Sequence, residues 1–168
     1  YDLDGQNWTT YGTSGDDSIS GVASGGLQDD TIYGGAGDDY IYGGYSGDDT
    51  LYGEDGNDEI EGSYGADVIY GGAGDDDLDG GAGDDEIHAG TGNDTIYGGG
   101  GADDLYYTSG HLTITGGQTS DTIYLDAAWD TVTPDYFKIG SDLQIAFDLD
   151  NTITIDGMFS TTPIHDMI

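Results

Sequence analysis

The run Gly71–Tyr97, GGAGDDDLD-GGAGDDEIH-AGTGNDTIY, decides the reading of this chain. It holds three successive nonapeptides, each with a glycine cluster, then an Asp-Asp or Asn-Asp pair, then one aliphatic residue between less apolar neighbours. In the same register the unit extends over most of the 168 residues, so the chain reads as an array of one small unit with a cap at each end.

Upstream of that run stand GTSGDDSIS (12–20), an expanded GVASGGLQDDTIY (21–33), GGAGDDYIY (34–42), GGYSGDDTLY (43–52), GEDGNDEIE (53–61) and GSYGADVIY (62–70); downstream stands GGGGADDLY (98–106). The eighth position is always Ile or Leu: Ile19, Ile32, Ile41, Leu51, Ile60, Ile69, Leu78, Ile87, Ile96 and Leu105. Each unit divides into a turn of six residues and a strand of three. Glycines at the first, second and fourth positions are expected to permit positive φ and to let backbone carbonyls turn inward, while the strand points its middle residue to one side. A strand of three cannot stand alone, but stacked units bury a line of Ile and Leu between two parallel sheets.

With two units per coil, each turn lies over the turn two repeats earlier, at roughly the 4.8 Å strand spacing. The sixth-position acids then form one file of Asp17, Asp39, Asp58, Asp76 and Asp94, and a second of Asp30, Asp49, Asp67, Asp85 and Asp103 on the opposite edge. Carboxylates cannot stack at that spacing without cations.

Composition makes the same demand. One basic residue, Lys138, stands against 35 acids, for a net charge of −34, and with 33 glycines the chain has too little apolar surface to fold alone. Nucleic acid is excluded as a direct partner because no basic surface exists to neutralise phosphates, and an anionic membrane is disfavoured for the same reason. No apolar run reaches membrane-spanning length. The chain opens on Tyr1 without a basic, apolar leader, and is expected to be an internal piece of something larger. The absence of cysteine removes disulfides and thiolate metal sites. Hard oxygen ligands remain, and they suit calcium far better than zinc or copper.

The nonapeptide is the G-G-x-G-x-D-x-U-x pattern, and the sequence resembles the RTX (repeats-in-toxin) family of calcium-binding proteins, closely over 12–106 and more faintly to about 133. The resemblance implies an all-β, right-handed parallel β-roll with two nonapeptides per coil. In that family each ion sits between stacked turns, held by the carbonyls of positions two and four from one turn, those of one and three from the other, and both sixth-position carboxylates. Carried over, the backbone donors would be Gly34, Gly35, Ala36 and Gly37; Gly71, Gly72, Ala73 and Gly74; Gly80, Gly81, Ala82 and Gly83; Gly90 and Gly92; and Gly99 and Gly101. The interior carboxylate pairs would be Asp39/Asp58, Asp58/Asp76, Asp76/Asp94, Asp49/Asp67, Asp67/Asp85 and Asp85/Asp103. Asp17/Asp39, Asp30/Asp49 and Asp103/Asp121 would form outer pairs, where Thr13, the insertion after Gly21 and Thr119 depart from the motif. That gives about nine Ca2+ sites, enough to cancel roughly half of the negative charge. The resemblance further implies type I secretion, with folding on calcium binding outside a bacterial cell.

Four regions are expected. Residues 1–11 form an N-terminal cap that buries Trp8, or the edge of a preceding unit; 12–106 form the β-roll; 107–133 are degenerate repeats. There the nine-residue spacing persists through Ile114, Ile123 and Val132, but Leu112 stands where the aspartate belongs, and only Asp121 and Asp130 remain. From 134 to 168, YFKI, LQIAF and NTITIDGMF alternate apolar and polar residues, which predicts an antiparallel capping meander with Leu143, Ile145, Phe147, Ile153 and Ile155 buried.

A further pattern lies at the ninth position, where one sheet carries Tyr33, Tyr52, Tyr70, His88, Tyr106 and Tyr124. Mutual stacking across the sheet is the simplest role for such a file. An adhesin-like face for a glycan or surface ligand is the alternative. Catalysis finds no motif, with His88, His111 and His165 isolated in sequence and neither H-E-x-x-H nor G-x-S-x-G present. The chain reads as a non-enzymatic module, or as the non-catalytic C-terminal part of a secreted toxin, hydrolase or epimerase. Thr113-Ile-Thr115 and Thr131-Val-Thr133 resemble ice-binding threonine arrays, but the regularity stops there.

Overall fold

A three-residue strand gains a stable partner only when its neighbour in space repeats its sequence, and here that neighbour lies two nonapeptides away. The computed structural model describes residues 7–21, 28–116, 121–125, 135–139, 142–146 and 151–155. One face is built from β1 (Thr9–Tyr11), β3 (Thr31–Ala36), β5 (Thr50–Asp55), β7 (Val68–Ala73), the first half of β9 (Glu86–Tyr97), β10 (Asp104–Tyr107) and β12 (Thr122–Leu125). The other face holds β2 (Ser18–Ser20), β4 (Tyr40–Tyr42), β6 (Glu59–Tyr64), β8 (Asp77–Ala82), the second half of β9 and β11 (Ser109–Thr115). Every one of these pairings is parallel. The result is an all-β parallel solenoid of the β-roll kind, with β9 running round one turn and joining the two faces.

Register follows the eighth position. Ile32, Leu51, Ile69, Ile87 and Leu105 stack on one face, and Ile41, Ile60, Leu78, Ile96 and Ile114 on the other. All are buried, and they form one continuous core. Each contributes on the order of 2 kcal/mol by leaving water.

The roll begins earlier than the repeats read from sequence. Thr9–Tyr11 pairs in register with Thr31–Tyr33, which puts Asn7 at a fifth position and Trp8 at a sixth. Trp8 is not buried as expected. Its side chain is 44% exposed, because a sixth-position residue sits at the edge of the turn and the described residues hold no further coil to cover it.

At the other end, β15 (Thr152–Ile155) pairs parallel with β11, and β14 (Asp142–Ala146) and β13 (Asp135–Ile139) add antiparallel strands. The meander thus continues the sheet of the second face. Ile153 lies against Leu112 and is fully buried, while Ile155 packs on the core with partial exposure. The side chains of Leu143 and Ile145, and residues Leu3, Phe147, Thr119, Asp130 and Val132, lie outside the described part.

Glycine has two separate duties in the turn. Positive φ falls at the second and fourth positions, as in Gly72 (121°) and Gly74 (140°), and among the described first positions, where it was also expected, it occurs at Gly116 (64°) alone. First-position glycines serve close approach instead: a Cβ on Gly80 would lie 2.5 Å from Asp85 Oδ2 and 2.7 Å from the Gly98 carbonyl oxygen. Glu54 (φ 80°) and Ser63 (φ 87°) hold second positions without being glycine, and there they are forced into the left-handed region at a cost of about 1–2 kcal/mol each.

Candidate metal centre

The sixth-position aspartates do stand in two files, and backbone hydrogen bonds fix how they face. The N–H of each donates to Oδ1 of the aspartate one coil ahead: Asp39 to Asp58 at 2.8 Å, Asp58 to Asp76 at 2.9 Å and Asp76 to Asp94 at 3.1 Å. On the opposite edge the same bond links Asp30 to Asp49 (2.7 Å), Asp49 to Asp67 (2.8 Å), Asp67 to Asp85 (2.9 Å), Asp85 to Asp103 (3.1 Å) and Asp103 to Asp121 (3.3 Å).

That bond occupies one oxygen only. In Asp39, Asp49, Asp58, Asp67, Asp76, Asp85, Asp94 and Asp103 the Oδ2 atom is buried without a hydrogen-bond partner. These residues are no more than 3% exposed. Where the geometry can be read from the first-position glycine, Oδ2 and the first-position carbonyl of the next coil converge on one small space, as at Gly62 and Gly80. Among the described residues no three His, Cys, Asp or Glu side chains converge on a metal position, so any ion in these turns takes at most two carboxylates, with backbone carbonyls as the further donors. A set of hard oxygens with two negative charges fits a calcium-like cation.

Electrostatics agree with that fit. Burial pushes the carboxyls of Asp67 and Asp94 up to about 7, and those of Asp49, Asp76 and Asp85 up to about 6, with neighbouring aspartates adding to the shift and the accepted N–H bonds offsetting part of it. Asp58 and Asp103 are raised by the same desolvation. An acid raised in this way binds its proton more tightly folded than unfolded, so the metal-free roll loses stability as pH climbs from about 4 to about 7. In EDTA the chain should therefore show more β structure by circular dichroism at pH 5 than at pH 7.5, a range above its pI of 4.1. No gain on acidification would contradict the metal-free electrostatics.

A family model described as RTX calcium-binding nonapeptide repeat (4 copies) matches residues 11–51, 43–78, 52–87, 79–111 and 113–135. The chain belongs to the RTX calcium-binding nonapeptide repeat family. A search of curated proteins returned no significant match. As an RTX roll, the chain is a calcium-binding module.

The two ends of the RTX files differ from the middle. Asp17 Oδ2 accepts from Thr13 N–H at 2.6 Å and from Thr13 Oγ1 at 2.9 Å, so the residue that breaks the motif also occupies the oxygen. At the far end, Leu112 and then Ile153 take the place of acids above Asp94, and the file turns apolar where the cap docks. Ala89 stands at the first position of that last acidic turn. Elsewhere in the files a methyl would intrude: on Gly71 it would meet Asp76 Oδ2 and the Ala89 carbonyl. Gly71→Ala should lower the calcium stoichiometry by one, read by equilibrium dialysis, while Ala89→Gly leaves it unchanged. Wild-type stoichiometry in Gly71→Ala would contradict this use of the space.

A second ladder was not anticipated from sequence. Fifth-position residues accept the fifth-position N–H of the following coil: Asp38 from Asn57 (2.9 Å), Asn57 from Asp75 (2.8 Å), Asp75 from Asn93 (2.8 Å) and Asp48 from Ala66 (2.9 Å). The usable signal was the mixture of Asp, Asn and Ala there against Asp alone at the sixth. One acceptor oxygen suffices at the fifth position, whereas the sixth needs an acceptor and a second, charged oxygen.

The ninth-position file is a continuous ring stack: Tyr11, Tyr33, Tyr52, Tyr70, His88, Tyr106 and Tyr124, with centroids 4.3–5.0 Å apart and planes within 12°. Tyr11 extends the file by one ring beyond the sequence reading. The inner rings spend their faces on each other. A sugar stacking on aromatic faces would find only edges and hydroxyls along most of the file.

Proposed function

We propose that this RTX roll is a calcium-dependent folding module of a bacterial protein exported unfolded through a type I system. Its ions bridge Asp39/Asp58, Asp58/Asp76, Asp76/Asp94, Asp49/Asp67, Asp67/Asp85, Asp85/Asp103 and Asp103/Asp121. What supports this assignment is the unpartnered, buried Oδ2 on the first member of each pair. The Asp17/Asp39 pair is weaker, because Thr13 already holds Asp17 Oδ2.

The chain crosses the envelope where calcium is scarce and its −34 charge keeps it extended, then folds where calcium is millimolar. Extracellular calcium sites bind at about 10⁻⁴–10⁻³ M. The folding midpoint in a calcium titration followed by circular dichroism should fall in that range. A submicromolar midpoint would sink the reading, since the chain would then fold before export.

A further inference from the structure

We infer that the ring ladder is a site of oxidative tyrosine cross-linking, at which one-electron oxidation staples successive coils of the folded roll through o,o′-dityrosine bonds. The geometry is that of pre-assembled coupling partners. Tyr11 and Tyr33 lie 5.0 Å apart by ring centroid at 7°, Tyr33 and Tyr52 4.6 Å at 3°, Tyr52 and Tyr70 4.8 Å at 3°, and Tyr106 and Tyr124 4.7 Å at 11°. The strands that carry them pair in register, Tyr33 opposite Tyr52 and Tyr52 opposite Tyr70, so neighbouring rings face one another in near-parallel planes. All these rings retain solvent access, from partial exposure in the middle to 70% at Tyr11.

The chemistry closes with an outer-sphere one-electron oxidant as co-reactant. Each of two neighbouring phenols gives one electron to the oxidant and its hydroxyl proton to water. The two phenoxyl radicals pair their ortho-carbon spin density in a single Cε–Cε bond. The hydrogens on those carbons then return, through water, to the phenol oxygens, and both rings become aromatic again. The net change is two electrons and two protons lost per link. Holding both rings in contact replaces a rare bimolecular encounter of radicals by a local one.

His88 divides the ladder. It stacks on Tyr70 at 4.5 Å and Tyr106 at 4.3 Å, with Nε2 2.7 Å from Glu86 Oε1. An imidazole offers no phenol to the coupling, so links form within Tyr11–Tyr33–Tyr52–Tyr70 and within Tyr106–Tyr124, and none joins the two groups. Tyr40, Tyr45, Tyr64 and Tyr97 are exposed but have no stacked tyrosine neighbour among the described residues, and they serve as internal controls.

The test is photo-oxidation of the calcium-loaded chain by a ruthenium trisbipyridyl complex with persulfate, at dilutions that suppress encounters between molecules. Folding is followed by circular dichroism in the same sample, so a failure of calcium-dependent folding is told apart from a failure of this inference. With Lys138 the single basic residue, linked peptides are released by a protease that cuts before aspartate and identified by mass. The expected result is intramolecular dityrosine at the ladder pairs, with a yield about tenfold or more above that of the EDTA-treated chain. Tyr52→Phe keeps a ring in the stack and should erase the Tyr33 and Tyr70 links to it while sparing Tyr11–Tyr33 and Tyr106–Tyr124. Equal yields with and without calcium in a chain whose folding does respond to it, links mainly between molecules, or links at the control tyrosines as often as in the ladder would overturn the proposal.

Discussion

In EDTA at neutral pH the chain loses the far-UV signature of its parallel sheets, and millimolar calcium restores it. The size of the effect follows from the acids. A carboxyl pushed from 3.8 to between 6 and 7 costs about 3 kcal/mol when ionised at neutral pH. Neighbours in a file share part of that cost, yet a few such groups are already comparable with the stability of an ordinary domain, about 5–15 kcal/mol. The core of single Ile and Leu files is thin, and 33 glycines add to the entropy that ordering must overcome. Bound cations remove the penalty and add binding free energy, so the same oxygens that forbid the metal-free fold at pH 7 hold the loaded one. The same β content in EDTA as in calcium would refute this account.

Asp76→Asn is expected to weaken calcium-dependent folding far more than Asp17→Asn. The amide keeps an oxygen for the Asp58 N–H, so the hydrogen-bond ladder survives and only the charged ligand is lost. Asp76 lies mid-file and serves two neighbouring turns, toward Asp58 and toward Asp94. At calcium ten times the site Kd, each lost site removes about 1.4 kcal/mol, so two lower the folded-to-unfolded ratio by about a hundredfold. Asp17 stands at the first acidic turn of its file with Oδ2 already held by Thr13, and its substitution should shift the calcium midpoint by about threefold or less. The comparison is read from calcium midpoints of the two variants at equal protein concentration. Equal shifts would mean that the aspartates act through net charge alone.

The roll was legible because its repeat is short and its key positions are chemically extreme. An unbroken series of Ile and Leu at the eighth position fixed both sheets and their register, and an Asp at every sixth position fixed the edges. The aromatic file followed from the coil period alone, although its face-to-face stacking did not. Three features escaped for definable reasons. Thr10 stands where Ile or Leu is the rule and Trp8 where Asp is, so β1 carried no signature of the repeat although its backbone pairs like any other coil. The fifth-position ladder was hidden because its residues read as solvated acids, and their bond partners lie 18 or 19 residues away. The task of the first-position glycines is chiefly clearance, set by Oδ2 of the aspartate five residues on and by the carbonyl of the next coil, and the conformational reading of the glycine cluster hid it.

The alternation of faces sets a rule for how such a chain can change its length. Successive nonapeptides lie on opposite faces, and only one face carries the stacked rings from Tyr11 to Tyr124. Losing a single nonapeptide would send every later unit to the other side, setting Glu61 or Asp79 beneath a tyrosine and splitting the ring file between faces. Loss or duplication of two at once, the 18-residue step that relates Asp76 to Asp58, keeps every later unit on its own face and in register. The unit of inheritance is therefore the pair, and the gene can lengthen or shorten this roll by whole coils without redesigning it.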